Sequence, residues 1–147
     1  MRNAVLPFLV ATLSACATKA GGDSAPVFLN PDGAPTLPFS PAVQVGKTLY
    51  LSGQIGTDST FRLVPGGIQA EARQTMENIR KVLERAGSSL DRVAKCTVMM
   101  ADMSEWPAMN EIYVTFFPRN RPARSALGAN GLALGARVEI ECIATVP

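Results

Sequence analysis

The sequence predicts an α+β domain in which two amphipathic helices cover one face of a mostly antiparallel sheet. Three observations lead there. Two segments carry apolar residues at the alternating steps of three and four that one helix face requires. Several Val-, Ile- and Thr-rich runs alternate with period two. A length of 147 residues, 47% hydrophobic and 18% charged, gives one globular domain with a real core.

The chain opens with Arg2 and an uncharged apolar run, Ala4 to Leu13, which then reaches Leu13-Ser14-Ala15-Cys16. That is the layout of a secretory signal, and the run is too short to span a bilayer. Residues 1–15 are therefore read as a signal peptide, with a lipobox-like stretch ending at Cys16, the lipidation site. Ala15-Cys16-Ala17 also satisfies an A-x-A cleavage rule that would release a soluble protein, and a buried apolar segment with no targeting role is the bland alternative. Residues 16–34 are small and polar and include Gly21-Gly22 and Asn30-Pro31-Asp32-Gly33, so they read as a flexible tether. The domain occupies 35–147.

Within the domain, Ala42–Val45 and Thr48–Ile55 are β-prone runs joined by Gly46-Lys47, a hairpin signal. Gly53 interrupts the second run, which points to a bulge or a close backbone approach to a ligand. A short apolar piece, 61–64, stops at Pro65-Gly66-Gly67. Ala72, Met76, Ile79, Leu83 and Ala86 then mark the apolar face of a helix that Gly87 ends. Val93 to Met100 reads as a strand. Ser104 is placed to cap a second helix with Trp106, Met109, Tyr113, Phe116 and Phe117 on its apolar face, and Pro118 stops it. Ala123 to Leu127 and Arg137 to Val146 are strands. In the last, Val138, Ile140, Cys142 and Ala144 share one face, and Glu139, Glu141, Ile143 and Thr145 the other. Two helices cover only one sheet face, and the half-apolar second face predicts self-association.

Composition narrows the chemistry. The chain has no His, which excludes a Ser-His-Asp triad, a Cys-His pair and His-based zinc sites. Proton transfer must use the twelve carboxylates, Tyr, Lys, Cys or water. A formal net charge of +2 is too small to imply nucleic-acid binding, and a membrane would be reached only through a lipid anchor. The segment from Phe116 to Leu127 holds Arg119, Arg121 and Arg124. The first two sit between prolines in a loop, where solvated charge is the ordinary explanation. Arg124 lies inside an apolar strand, where an unpaired guanidinium is costly. Either it forms a salt bridge with Glu139 or Glu141, or its planar fork takes a ligand carboxylate. Cys96 and Cys142 both lie in predicted strands and are read as buried free thiols, with pairing in an oxidising compartment left open. Trp106 reads as a packing residue of the core or of the helix N-terminus.

Five pieces, in order, give the segment from Pro38 to Val146 a family resemblance: Leu51-Ser52-Gly53-Gln54-Ile55, Ala72-Arg73-Gln74-Thr75-Met76-Glu77-Asn78-Ile79, Met109-Asn110-Glu111-Ile112-Tyr113, Pro122-Ala123-Arg124-Ser125 and Val138-Glu139-Ile140-Glu141. The segment resembles the RidA/YjgF reactive intermediate deaminases, formerly the endoribonuclease L-PSP family. The resemblance implies a chorismate-mutase-like (YjgF-like) fold assembled as a homotrimer with clefts between subunits. It implies hydrolysis of small enamine and imine intermediates, such as 2-aminoacrylate, to a 2-oxo acid and ammonia, with no metal or organic cofactor.

Carried over by position, Arg124 binds the substrate carboxylate and Glu139 orients or activates water. Ser52 and Gly53 line the cleft, with Asn110 and Tyr113 near it. Phe39 stands where archetypal members place Tyr, and Ala126 where many have Cys or Thr, so the substrate-binding wall lacks a hydroxyl at one position and a hydroxyl or thiol at the other. Each residue also has a plainer role: Ser52-Gly53 as strand and bulge, Asn110 and Tyr113 as helix packing, Glu139 as partner to Arg124. Three functions follow for comparison: an exported imine deaminase, a non-catalytic binding protein using the same pocket, and RNA binding or cleavage through the three arginines. The expected location is the bacterial cell envelope, lipid-anchored on the periplasmic side, or soluble periplasm if cleavage follows Ala17.

Overall fold

A computed structural model describes residues 25–30 and 37–147. The signal segment, Cys16 and most of the tether lie outside the described residues. One piece of the segment read as tether does not behave as one. Val27–Leu29 (β1) pairs antiparallel with Ala42–Val45 (β2), Phe28 opposite Val43. Three apolar residues beside an open strand edge find backbone partners there, which a polar tether could not exploit.

The hairpin forms as expected, with β2 antiparallel to Thr48–Leu51 (β3). The run predicted to continue to Ile55 breaks at Ser52-Gly53 and resumes as Gln54–Ile55 (β4). Both halves lie on the last strand, Val138–Thr145 (β7): Tyr50 opposes Ile143 and Gln54 opposes Ile140. Four steps on one strand thus span three on the other, which is a β-bulge. The piece at 61–64 is loop, tied down by a bridge between Thr57 and Leu63 and by backbone bonds that include the Val64 N–H donating to the Gly56 carbonyl.

The long helix is Gly67–Arg85 (α1), with Ala72, Met76, Ile79 and Leu83 fully buried. Gly87 follows at φ 72°, the left-handed stop that its missing Cβ permits. The second helix starts differently from expectation. Asp102, not Ser104, supplies the capping side chain by accepting the Ser104 N–H at 2.8 Å. A carboxylate accepting from an amide two residues on is the stronger local bond. A single 3-10 turn, Met103–Glu105, then leads into Trp106–Tyr113 (α2), and another, Val114–Phe116, carries the chain towards Pro118.

Val93–Met100 (β5) lies between β7, antiparallel, and Ala123–Gly128 (β6), parallel. Among the described residues the order is β1-β2-β3-β7-β5-β6, with β4 also on β7. The period-two reading of β7 holds: Val138, Ile140, Cys142 and Ala144 are buried beneath the helices, while their neighbours face the open side. Leu49, Val98, Met100, Met109 and Tyr113 complete one core.

The reading of free thiols is corrected. Cys96 and Cys142 stand opposite each other on β5 and β7, with Cα atoms 4.1 Å apart, and form a disulfide. The alternation of both strands delivers the two Cβ atoms to the same buried face, a relation that sequence separation does not reveal. The bridge spans 46 residues, and closing such a loop constrains the unfolded chain by about 4 kcal/mol in the chain-entropy account. Cys96→Ala with Cys142→Ala is therefore expected to lower the urea midpoint markedly. An unchanged midpoint would show that the bridge contributes nothing to stability.

Candidate functional site

The structure divides the predicted site residues into two groups on opposite sheet faces. On the helix side, Arg124 of β6 is in register with Cys96, whose side chain is buried under the helices. Its guanidinium consequently reaches α2. Nη1 donates to Asn110 Oδ1 at 2.7 Å, and Cζ lies 4.7 Å from the Tyr113 ring centroid and 6.0 Å from that of Trp106. Residues 106, 110 and 113 are spaced i, i+4, i+7, so one stripe of α2 forms the cradle. The aromatic faces attract the cation, and Asn110 fixes the fork's rotation. No carboxylate among the described residues forms an ion pair with it, and the guanidinium stays partly exposed on β6 at the sheet margin.

The predicted salt bridge to Glu139 or Glu141 is thereby excluded within one chain. Glu139 opposes Met99 and belongs to the open face, with β5 between its strand and that of Arg124. Period two in both strands forbids their meeting.

The open-face group centres on Glu139, Gly53 and Ser52. A Cβ on Gly53 would sit 2.0 Å from Glu139 Oε1, so the carboxylate lies directly against the bulge backbone and only glycine leaves room for it. The close approach expected at Gly53 is real, but the group approaching is this carboxylate. Desolvation there, and then the like charge of Glu141, raise the Glu139 pKa above the usual carboxylate value. Ser52 uses its donors internally: Oγ donates to the Ser40 carbonyl at 2.7 Å and its N–H to that of Pro41 at 3.0 Å. These bonds hold the segment carrying Phe39, which is half-exposed beside Ser52.

Tyr113 is buried, its hydroxyl has no hydrogen-bond partner among the described residues, and burial pushes its pKa up to about 12 despite the opposing effect of Arg124. It remains protonated at neutral pH and serves Arg124 through its ring. Of the residues gathered in the two groups, Glu139 is thus the one suited to accept a proton. Ala126 is partly buried against the core, on the helix side with Arg124. Arg119 pairs with Asp91 at 3.0 Å on the surface, so the three arginines form no common patch of free charge. Sequence reasoning assigned Trp106 to packing and missed its place beside Arg124. The signal was present in the shared spacing of 106, 110 and 113.

Comparison with known proteins agrees with this architecture. Residues 31–146 match the family described as Endoribonuclease L-PSP. A Mus musculus 2-iminobutanoate/2-iminopropanoate deaminase is 48% identical over 108 residues, covering 73% of this chain and 80% of that protein. The crystal structure of RidA from the Antarctic bacterium Psychrobacter is 40% identical, with a TM-score of 0.72 over 77% of this chain and 92% of the other. Escherichia coli TdcF with bound serine is 30% identical, with a TM-score of 0.72 over 77% and 91%. With a family match over most of its length and a fold shared at these identities, the chain belongs to the endoribonuclease L-PSP family, in which RidA is a fellow member.

Proposed function

We propose that this protein hydrolyses small carboxylate-bearing imines to 2-oxo acids and ammonia, at sites built from two copies of the chain. The observation that carries the proposal is a cradled guanidinium with no carboxylate partner among the described residues on one sheet face and a desolvated carboxylate on the other. One chain cannot bring both to a single small molecule. A neighbouring copy docked against the open face can, and the half-apolar residues there, Tyr50 and Ile143 among them, favour such a contact. A closed ring, as in the homotrimer that the resemblance implies, repeats this junction. The relatives named as deaminases support the same chemistry.

In this scheme Arg124 holds the substrate carboxylate through paired N–H donors. Asn110, Tyr113 and Trp106 keep the guanidinium aimed. Glu139 accepts a proton as water adds to the imine carbon. Glu139 passes that proton to the imine nitrogen to give the carbinolamine, then carries the carbinolamine hydroxyl proton to the nitrogen as the C–N bond breaks, so that ammonia leaves and the 2-oxo acid remains. Gly53 fixes the Glu139 carboxylate, so Gly53→Ala is expected to leave the fold intact, because a flexible carboxylate can swing aside. The same change should reduce turnover roughly 100-fold, since that displacement exceeds 1 Å. Equal activity in that variant would remove Glu139 from the chemistry.

The direct test generates imino acids with an amino-acid oxidase and measures ammonia and 2-oxo acid release with and without the full chain. No acceleration over the spontaneous rate overturns the deaminase proposal. Tight 2-oxo acid binding without turnover would select the non-catalytic alternative.

We also propose export with lipid attachment at Cys16. The Cys96–Cys142 bridge supports residence in an oxidising compartment, where such bonds persist. Mass spectrometry of the mature amino terminus tests it: diacylated Cys16 is expected, and an unmodified terminus at Thr18 would indicate soluble release instead.

A further inference from the structure

We infer that this protein selects imino acids with bulky apolar side chains, aromatic or branched aliphatic, through a groove next to Glu139. The inference rests on the deaminase proposal and specifies its substrate class. The groove has a volume of about 450 Å³, and its walls include Phe28, Leu37, Phe39, Val43 and Ser52. Cavities of 300–1,000 Å³ are the usual range for small-molecule sites. Phe28, Leu37 and Phe39 are 63%, 42% and 48% exposed, so three large apolar side chains face solvent in one patch.

Register places this patch on the reactive face. Phe28 opposes Val43, Val43 opposes Tyr50, and Tyr50 opposes Ile143, which shares the open face of β7 with Glu139. Ser52 joins the two regions: it lines the groove, and the next residue, Gly53, lies under the Glu139 carboxylate. The groove therefore begins one residue from the proposed water-activating group.

Its wall is also short of donors. Ser52 spends its hydroxyl proton on the Ser40 carbonyl and its N–H on that of Pro41, Phe39 has no hydroxyl, and the Ser40 hydroxyl is the one other side-chain donor of the lining. A polar side chain entering here would lose water and find only the Ser40 hydroxyl to replace it. A methyl side chain, as in the imine derived from alanine, would leave the apolar wall wet. A benzyl or isobutyl group would cover it.

A single methylene in a hydrophobic pocket discriminates by roughly 10-fold or more, so even this half-open groove is expected to favour the larger substrates at least 10-fold. The experiment measures kcat/KM of the full chain for imines generated by an amino-acid oxidase from phenylalanine, leucine and alanine. Phenylalanine- and leucine-derived imines are expected to exceed the alanine-derived one by about 10-fold or more, and Leu37→Ser and Phe39→Ser should each shrink that ratio. Both residues are surface-exposed, so folding survives substitution and the ratio is the readout. Equal kcat/KM for all three imines, or preference for the smallest, overturns this inference and leaves the deaminase proposal standing. If no imine is hydrolysed, the deaminase proposal falls, and the groove is judged by binding of phenylpyruvate against pyruvate. A tenfold preference for phenylpyruvate preserves its role, and equal binding ends it.

Discussion

Replacing Arg124 by Ala is expected to lower kcat/KM for imine hydrolysis by roughly 100- to 1,000-fold, the loss that follows from removing charge-assisted bonds to a substrate carboxylate. The fold should survive. Arg124 is partly exposed on β6 and holds no ion pair among the described residues, and its removal frees Asn110 and the faces of Tyr113 and Trp106. Arg124→Lys is expected to recover part of the binding and little of the orientation. A lysine ammonium cannot present two parallel donors or lie flat over Tyr113. Activity equal to wild type in Arg124→Ala, with the protein folded, would remove the guanidinium from the site.

The two-chain arrangement makes a further outcome calculable. Mixed assemblies of Arg124→Ala and Glu139→Gln chains contain junctions where an intact Arg124 meets an intact Glu139. Random association in equal amounts restores up to roughly one quarter of the wild-type sites, since each junction needs one chain of each kind in the right order. If both residues acted within one chain, mixing would restore nothing. The recovery therefore separates an inter-chain site from an intra-chain one without a structure of the assembly.

Much of this was legible in the sequence because two periodicities were clean. The helix stripe at 72, 76, 79, 83 and 86 and the β7 alternation of Val138, Ile140, Cys142 and Ala144 each faced one environment, and the structure buries all of these residues but Ala86, which caps the helix and is only partly buried. Local readings failed where a neighbouring strand decided the outcome. Val27–Leu29 looked like tether because its partner, β2, is a register relation that composition cannot express. Cys96 and Cys142 looked unpaired for the same reason: 46 residues apart in sequence, they are opposite each other in the ladder. For the site, Gly53 announced a close approach, yet the approaching atom, Glu139 Oε1, depends on how a bulge shifts β4 along β7. Arg124 stood out because a guanidinium inside an apolar strand needs a partner, and the structure gives it Asn110 and two aromatic rings in place of a carboxylate. Its separation from Glu139 needed the strand order as well as the parity of each strand.

Replacing Glu139 by Gln is expected to separate activity from stability. If the carboxylate accepts the water proton, its loss should lower kcat by roughly 100- to 10,000-fold, the usual contribution of a positioned general base. The wild-type rate should rise as pH climbs through the elevated Glu139 pKa and level off above it, and the variant should lack that limb. Stability runs the other way. Desolvation over the bulge and the nearby Glu141 charge raise the folded-state pKa above the unfolded value, so the folded chain binds the proton more tightly. The resulting stabilisation is complete below the unfolded-state pKa and is lost as pH rises through the folded-state one. At neutral pH the ionised carboxylate is therefore a burden on the fold that an amide of the same shape does not carry. Glu139→Gln should keep or slightly raise Tm at pH 7, and the difference from wild type should shrink towards acidic pH, where Glu139 is itself neutral. A variant that loses activity and Tm together would mark Glu139 as a structural support of the bulge. Lost turnover with undiminished Tm would instead mark it as a group kept charged at a cost to stability, which a purely structural role would not require.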